Sequence, residues 1–274
     1  LLVEPVFAHP LNYSTQALFL TAVAFYVQLF ADFSGYTDMG RGVARMLGYR
    51  LPINFRAPYL AWSPIEFWHR WHMTLTLWIR DYIYNTATIK ILRLIPSHVI
   101  RNIAMLVLTI FVMILMGLWH GGTSGFFVYG LAHGVLIVSW YMVFRGREPV
   151  GLSRGVSILA TQILIALSFV IFRSPSFDQT ATFYAGLFSG QEGLHFSPVT
   201  IVCIAVGLIV TFINQWIDQS VTKRPVAQCF ATLRNSGFFF ANLMFFWGVI
   251  FLVKVATEGI LSKGAPGRFI YFDF

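Results

Sequence analysis

Apolar residues in this chain cluster in long runs rather than in the one-faced or alternating patterns of water-soluble elements. Six stretches are long and apolar enough to cross a bilayer, which takes about 20 residues. They are Thr15–Ala31, Arg101–Trp119, Phe126–Phe144, Val156–Phe172, Pro198–Trp216 and Gly237–Val255. The pattern predicts an all-α, polytopic integral membrane protein. There is no tandem repeat and no low-complexity tract.

The segment between the first two spans, Asp32–Ile100, breaks this pattern. It mixes charged, aromatic and apolar residues and contains Pro52, Pro58 and Pro64. It is read as a re-entrant or interfacial helical segment. Within it, Ser63-Pro64-Ile65-Glu66 is a strong helix start, with a capping serine, a proline at the first helical position and a glutamate that closes a capping box. The helix is expected to run to about Tyr84. On a helical wheel Trp68, Trp71, Leu75, Trp78, Ile79 and Tyr82 share one arc, with His69, His72, Thr76 and Arg80 on the next sector and Glu66, Arg70 and Asp81 beyond. So wide a polar face beside a tryptophan stripe suits an interfacial helix or one that lines a wet cavity. The plainer reading is a helix anchored at headgroup level by its tryptophans, with Glu66 and Arg70 an ordinary i,i+4 pair.

Composition agrees with the pattern. Hydrophobic residues make up 57% of the 274 and charged residues only 11%, against about 25% charged in soluble domains. A compact soluble domain and a disordered chain are both excluded. The net charge of +8 would raise nucleic acid as a partner for a soluble protein, but here it has a topological reading. If the spans alternate, fifteen basic residues fall on one side and Arg173, Lys254, Lys263 and Arg268 on the other. The fifteen lie in Asp32–Arg101, in the Arg145–Arg154 loop and around Lys223–Arg234. Lys and Arg accumulate in cytoplasmic loops. The long segment is therefore expected in the cytoplasm and the tight Trp119–Gly125 turn on the outer side, with no nucleic acid involved. Cys203 and Cys229 lack metal-ligand spacing and are read as buried free thiols.

A second polar constellation, Gly117-Leu118-Trp119-His120-Gly121-Gly122, closes one span and turns into the next, which carries Gly130-Leu131-Ala132-His133-Gly134. Ionisable residues at such depth are functional candidates by default. An imidazole can accept a proton near neutral pH, and glycines beside His120 let another group come close. The alternatives are a core histidine bonded to a carbonyl, or a metal ligand, for which no Cys or acidic neighbour is present.

Several motifs, in order, resemble those of bacterial membrane-bound O-acyltransferases. They are Asp32-Phe33-Ser34-Gly35-Tyr36-Thr37-Asp38-Met39, Asn54-Phe55-Arg56-Ala57-Pro58-Tyr59, Glu66-Phe67-Trp68-His69-Arg70-Trp71-His72 and Trp78-Ile79-Arg80-Asp81-Tyr82. Gly117–Gly121, Phe172–Phe177 and the terminal Phe269–Phe274 continue the series. The resemblance is strongest to the alginate O-acetylation branch, with the teichoic acid D-alanylation branch related. Departures are His69 where many relatives have arginine, Asp273 where they have glutamine, and Asn85-Thr86-Ala87-Thr88 in place of Pro-Leu-Gly-Gly. Family members are longer at the amino terminus, so residues 1–274 are read as one membrane domain that lacks amino-terminal helices.

The resemblance implies an enzyme of the bacterial inner membrane. It would transfer an acyl group from a thioester, acetyl-CoA or an acyl carrier protein, toward hydroxyls of an envelope polysaccharide such as alginate. The donor would bind on the cytoplasmic side as co-substrate, with no bound cofactor or metal, and a separate envelope-side acyltransferase is an expected partner. His120 and His72 would be the catalytic pair. Glu66, Arg70, Trp71, Arg80, Asp81, Tyr36, Asp38 and Trp119 would bind substrate or hold the site's architecture. The rival readings are D-alanyl transfer to teichoic acid and a transporter whose histidines relay protons.

Overall fold

The computed structural model describes residues 3–174 and 176–222. The expected span Gly237–Val255, Cys229, the basic stretch Lys223–Arg234, Pro175 and the terminal motif with Asp273 lie outside the described residues. Among those described the fold is all-α, with one isolated β-bridge between Tyr13 and Leu194. Five helices among the described residues are long and apolar enough to span a membrane, which makes the protein a multi-pass membrane protein. Large apolar side chains such as Val107, Phe111, Tyr141 and Val143 face outward. Water would not tolerate so extended an apolar surface, and lipid requires it.

The chain divides into two compact units. The first holds residues 3–49 and 183–222. Its helix α1 (Glu4–Ala8) precedes α2 (Thr15–Met46), which Ser14 caps by accepting from the Ala17 N–H. The expected first span thus runs 15 residues further than Ala31. At about 1.5 Å per residue α2 is about 48 Å long, well beyond the ~30 Å hydrocarbon core. It carries Tyr36 and Asp38 on its second half, where Asp38 pairs with Arg41 at 2.8 Å. Phe7 packs on Phe25 and Phe183 to form the core of this unit. Cys203, on α10 (Pro198–Thr222), is a free thiol only half-buried, where the sequence suggested full burial.

The second unit, residues 50–182, holds the remaining motifs. Here the expected single helix from Ser63 to Tyr84 is broken. It becomes α3 (Pro64–Arg70), α4 (Met73–Ile79), a π-helical stretch Arg80–Tyr84 and α5 (Asn85–Leu94). The break is at His72, whose φ of 45° and ψ of 49° lie in the left-handed region. A wheel drawn through it fails: Trp68, Trp71 and Ile79 are buried, whereas Trp78 and Tyr82 are exposed. The Ser63 cap is as expected, accepting from Glu66 N–H at 3.0 Å, but the Glu66 carboxylate reaches back to the Trp62 N–H, one residue earlier than the capping box predicts.

Three apolar helices follow, α6 (His98–Trp119), α7 (Ser124–Phe144) and α8 (Leu152–Arg173). Between α8 and α10 lies a 13-residue helix that the apolar pattern did not predict, α9 (Phe177–Ser189), too short to cross a bilayer. The α6–α7 contact is made by small residues. A Cβ on Gly130 would collide with the Met113 carbonyl and sit 2.7 Å from Ile114 Cα, and one on Gly134 would sit 2.8 Å from Ile110 Cα. Glycines four residues apart let two membrane helices approach backbone to backbone. Gly130→Ala should therefore drive these helices apart and destabilise by about 1–3 kcal/mol, read as a lowered Tm in detergent. Gly155→Ala, where no neighbour lies within 4 Å, should not. Equal Tm values for the two variants would contradict this packing.

Candidate functional site

The site is built where α3 ends. A residue with a Cβ in left-handed conformation costs about 1–2 kcal/mol, so the His72 backbone needs compensation. Asn54 provides it. The Met73 N–H donates to the Asn54 carbonyl at 2.9 Å, and Asn54 Oδ1 accepts from the Thr74 N–H at 3.2 Å and the Thr74 hydroxyl at 2.9 Å. The same oxygen lies 3.2 Å from His72 Nδ1. An oxygen already serving two donors acts as acceptor here too, so Nδ1 carries the hydrogen and Nε2 the lone pair. Two residues on, the Arg56 N–H donates to the Arg70 carbonyl at 2.9 Å and satisfies the C-terminal end of α3.

Glu66 and Arg70 clamp the same corner. Arg70 Nε and Nη2 both donate to Glu66 Oε1, at 2.9 and 2.6 Å, and Nη1 donates to the carbonyls of Arg56 and Ala57. The pair is largely buried, at 13% and 19% side-chain exposure, and joins α3 to the Asn54–Ala57 segment. It is therefore more than a surface i,i+4 pair. Trp71 is buried between Phe55, Phe67 and Phe169.

His120 caps the C-terminus of α6, its N–H donating to the Gly117 carbonyl at 3.0 Å. Its ring sits edge-to-face on Phe172 at 5.0 Å, with Phe126 at 6.0 Å. The flanking glycines make this possible. A Cβ on Gly117 would strike the Phe126 carbonyl, and one on Gly121 would lie 2.7 Å from the Phe126 ring. The close approach anticipated beside His120 is thus made by Phe126, at the start of α7. Among the described residues no side chain hydrogen-bonds the His120 imidazole, which leaves both ring nitrogens to a substrate.

The two histidines meet at Trp119. Its ring centroid is 5.8 Å from that of His72 and 4.9 Å from that of His120. The pKa of each is lowered from 6.5 to about 4, by burial first of all and, at His72, also by the neighbouring charge of His120. Each is thus neutral at neutral pH, and protonation of one opposes protonation of the other. A base of low pKa takes up that proton with less driving force than an imidazole in water. It gains instead a half-buried setting in which fixed dipoles act more strongly than in water.

The remaining expected residues have contacts of their own. Arg80 and Asp81 pair with each other at 2.9 Å and are about half exposed. Tyr36 and Asp38 belong to the other unit. Conversely Asn54, Phe126 and Phe172 are not among the site candidates read from the sequence, whereas His133 is raised there as a functional candidate. Asn54 lies in a motif the sequence displays, but the strain it relieves arises only from the break at His72. His133 is fully buried and bonded to Trp68 and Ser168, a satisfied core histidine rather than a metal ligand.

A helical, multi-pass membrane protein with two neutral histidines in an aromatic-walled site is thereby defined. Comparisons with known proteins narrow the class. The chain is 33% identical over 233 residues to a probable alginate O-acetylase of Azotobacter vinelandii, covering 78% of this chain and 43% of that protein. It is 34% identical over 161 residues to a teichoic acid D-alanyltransferase of Streptococcus thermophilus, covering 53% and 38%. With a peptidoglycan O-acetyltransferase of Helicobacter pylori it shares 31% identity over 170 residues, covering 61% and 31%. No protein-family model matches the chain. The chain is a homologue of these membrane-bound O-acyltransferases and spans less than half the length of the relatives it matches.

Carbethoxylation by diethyl pyrocarbonate requires a neutral imidazole. Its rate at His72 and His120 should stay at its plateau as pH falls through 6.5 and halve only near 4, followed by peptide mass spectrometry. A half-maximal rate near 6.5 would contradict the buried, neutral state.

Proposed function

We propose that this protein is a membrane-bound O-acyltransferase that moves an acyl group, acetyl in the first instance, from a thioester toward hydroxyls of an envelope polysaccharide such as alginate. The observation that carries the reading is the convergence of His72 and His120, both neutral, on Trp119. The acceptor hydroxyl oxygen attacks the thioester carbonyl while His120 takes its proton. The C–O bond forms, the C–S bond breaks, and the proton passes to the departing thiolate. His72, held by Asn54 through Nδ1–H, offers its Nε2 lone pair as an acceptor that orients the donor. A positioned general base contributes about 10²–10⁴ in rate. The half-exposed thiol Cys203 lies in the other unit, and direct transfer needs no covalent intermediate.

The thioester, acetyl-CoA or an acyl carrier protein, is a co-substrate rather than a bound cofactor. The membrane is the bacterial inner membrane, oriented by the basic residues of the α2–α6 segment and the Arg145–Arg154 loop, which face the cytoplasm. Donor binding is on that side, and a separate envelope-side acyltransferase completes transfer beyond the membrane. Similarity to the Streptococcus thermophilus D-alanyltransferase favours a second reading in which the acyl group is D-alanyl and the acceptor teichoic acid. Both readings use the same histidines.

In the protein's native membrane, His120→Ala should lower envelope ester content by roughly 10²-fold or more at unchanged protein level. Released acetate against released D-alanine distinguishes the two acyl groups. Undiminished ester content would reject His120 as the base.

A further inference from the structure

His133 lies outside the catalytic pair, yet both of its ring nitrogens are hydrogen-bonded. It sits in the middle of α7 with no exposed surface. Trp68 Nε1–H, which can only donate, points at His133 Nδ1 at 3.3 Å. Ser168 on α8 lies 2.9 Å from His133 Nε2 and gives its own hydroxyl hydrogen to the Ile165 carbonyl at 2.7 Å. Every donor therefore has one consistent direction: Trp68 to His133, His133 Nε2–H to Ser168, Ser168 to Ile165. A protonated His133, or the opposite tautomer, would set a hydrogen of His133 Nδ1 against that of Trp68.

This chain of bonds crosses three elements. Trp68 is on α3, four residues before His72, and its indole N–H ties α3 to α7. Around it Tyr129 packs on the His133 ring at 4.5 Å and on Phe172 at 5.2 Å, and Phe172 is the wall of His120. The side chain that anchors the His72 segment and the rings that hold His120 thus meet at one imidazole.

We infer that His133 is a positioning residue: locked as the Nε2–H tautomer between Trp68 and Ser168, it keeps α3, and with it His72, in register with the α7–α8 pair that walls His120. This rests on the proposed catalytic pair and adds a determinant of its geometry. An imidazole suits the task because it accepts at one nitrogen and donates at the other across a rigid ring. Misplacing one catalytic group by about 1 Å can cost about 10² in rate.

The test uses Trp68→Phe, His133→Phe and His133→Asn in the whole protein, assayed for acyl transfer at matched amounts of folded protein beside His120→Ala. Trp68→Phe and His133→Phe should each lower kcat roughly 10–100-fold with little change in KM for the donor, and the double variant should be no worse than either. His133→Asn, which places an amide oxygen where Nδ1 stood, should recover most of kcat. Unchanged kcat in Trp68→Phe and His133→Phe, with only Tm lowered, while His120→Ala is inactive, overturns the positioning role and leaves the catalytic reading intact. Full activity in His120→Ala overturns both. Independently of activity, the ¹⁵N spectrum of labelled His133 should show a protonated Nε2 and a bare Nδ1, and the opposite tautomer overturns the proposal.

Discussion

The site depends on how a helix is made to stop and restart at His72. Nothing in the local sequence forbids a continuous helix there, and left-handed backbone at a residue with a Cβ is unfavourable. Asn54 reverses that balance by giving the broken chain its hydrogen bonds: its carbonyl takes the Met73 N–H and its side-chain oxygen takes Thr74 and His72. A net hydrogen bond is worth about 0.5–1.5 kcal/mol, and an unsatisfied buried group costs more. The set of bonds therefore outweighs the ~1–2 kcal/mol of backbone strain. The same contacts aim the His72 ring and fix its tautomer.

Helix packing supplies the other half. Gly130 and Gly134 let α7 lie against α6 closely enough that the turn between them is short, and Gly117 and Gly121 let Phe126 cover His120. The aromatic walls around both histidines then set their protonation state. Burial holds them neutral, with pKa near 4. The histidines of this site are therefore proton acceptors by virtue of what surrounds them, while His133, more deeply buried, is tied up at both nitrogens and serves structure.

Much of the fold was legible from residue order. The spans Arg101–Trp119, Phe126–Phe144 and Val156–Phe172 reappear as α6, α7 and α8 with ends shifted by a few residues, because a lipid-crossing helix is specified by apolar length alone. The motifs around His72 and His120 marked the residues that meet. What could not be read was the break at His72, since it is dictated by Asn54, 18 residues earlier in the chain. Periodicity instead predicted one helix to Tyr84 and so misassigned Trp78 and Tyr82, which are exposed. The continuation of α2 to Met46 was also missed, because Asp32 and Asp38 end the apolar run without ending the helix. Arg80 and Asp81, assigned to the site by resemblance, pair with each other and are half exposed.

The central claim is that His72 and His120, 48 positions apart, form one site against Trp119. It is tested most directly by placing cysteines at both positions in the native membrane, with Cys203 and Cys229 replaced, and adding a short bifunctional thiol reagent. The account predicts an intramolecular cross-link, detected by mass spectrometry of the joined peptides. Labelling of each cysteine alone, with no cross-linked peptide, would contradict it.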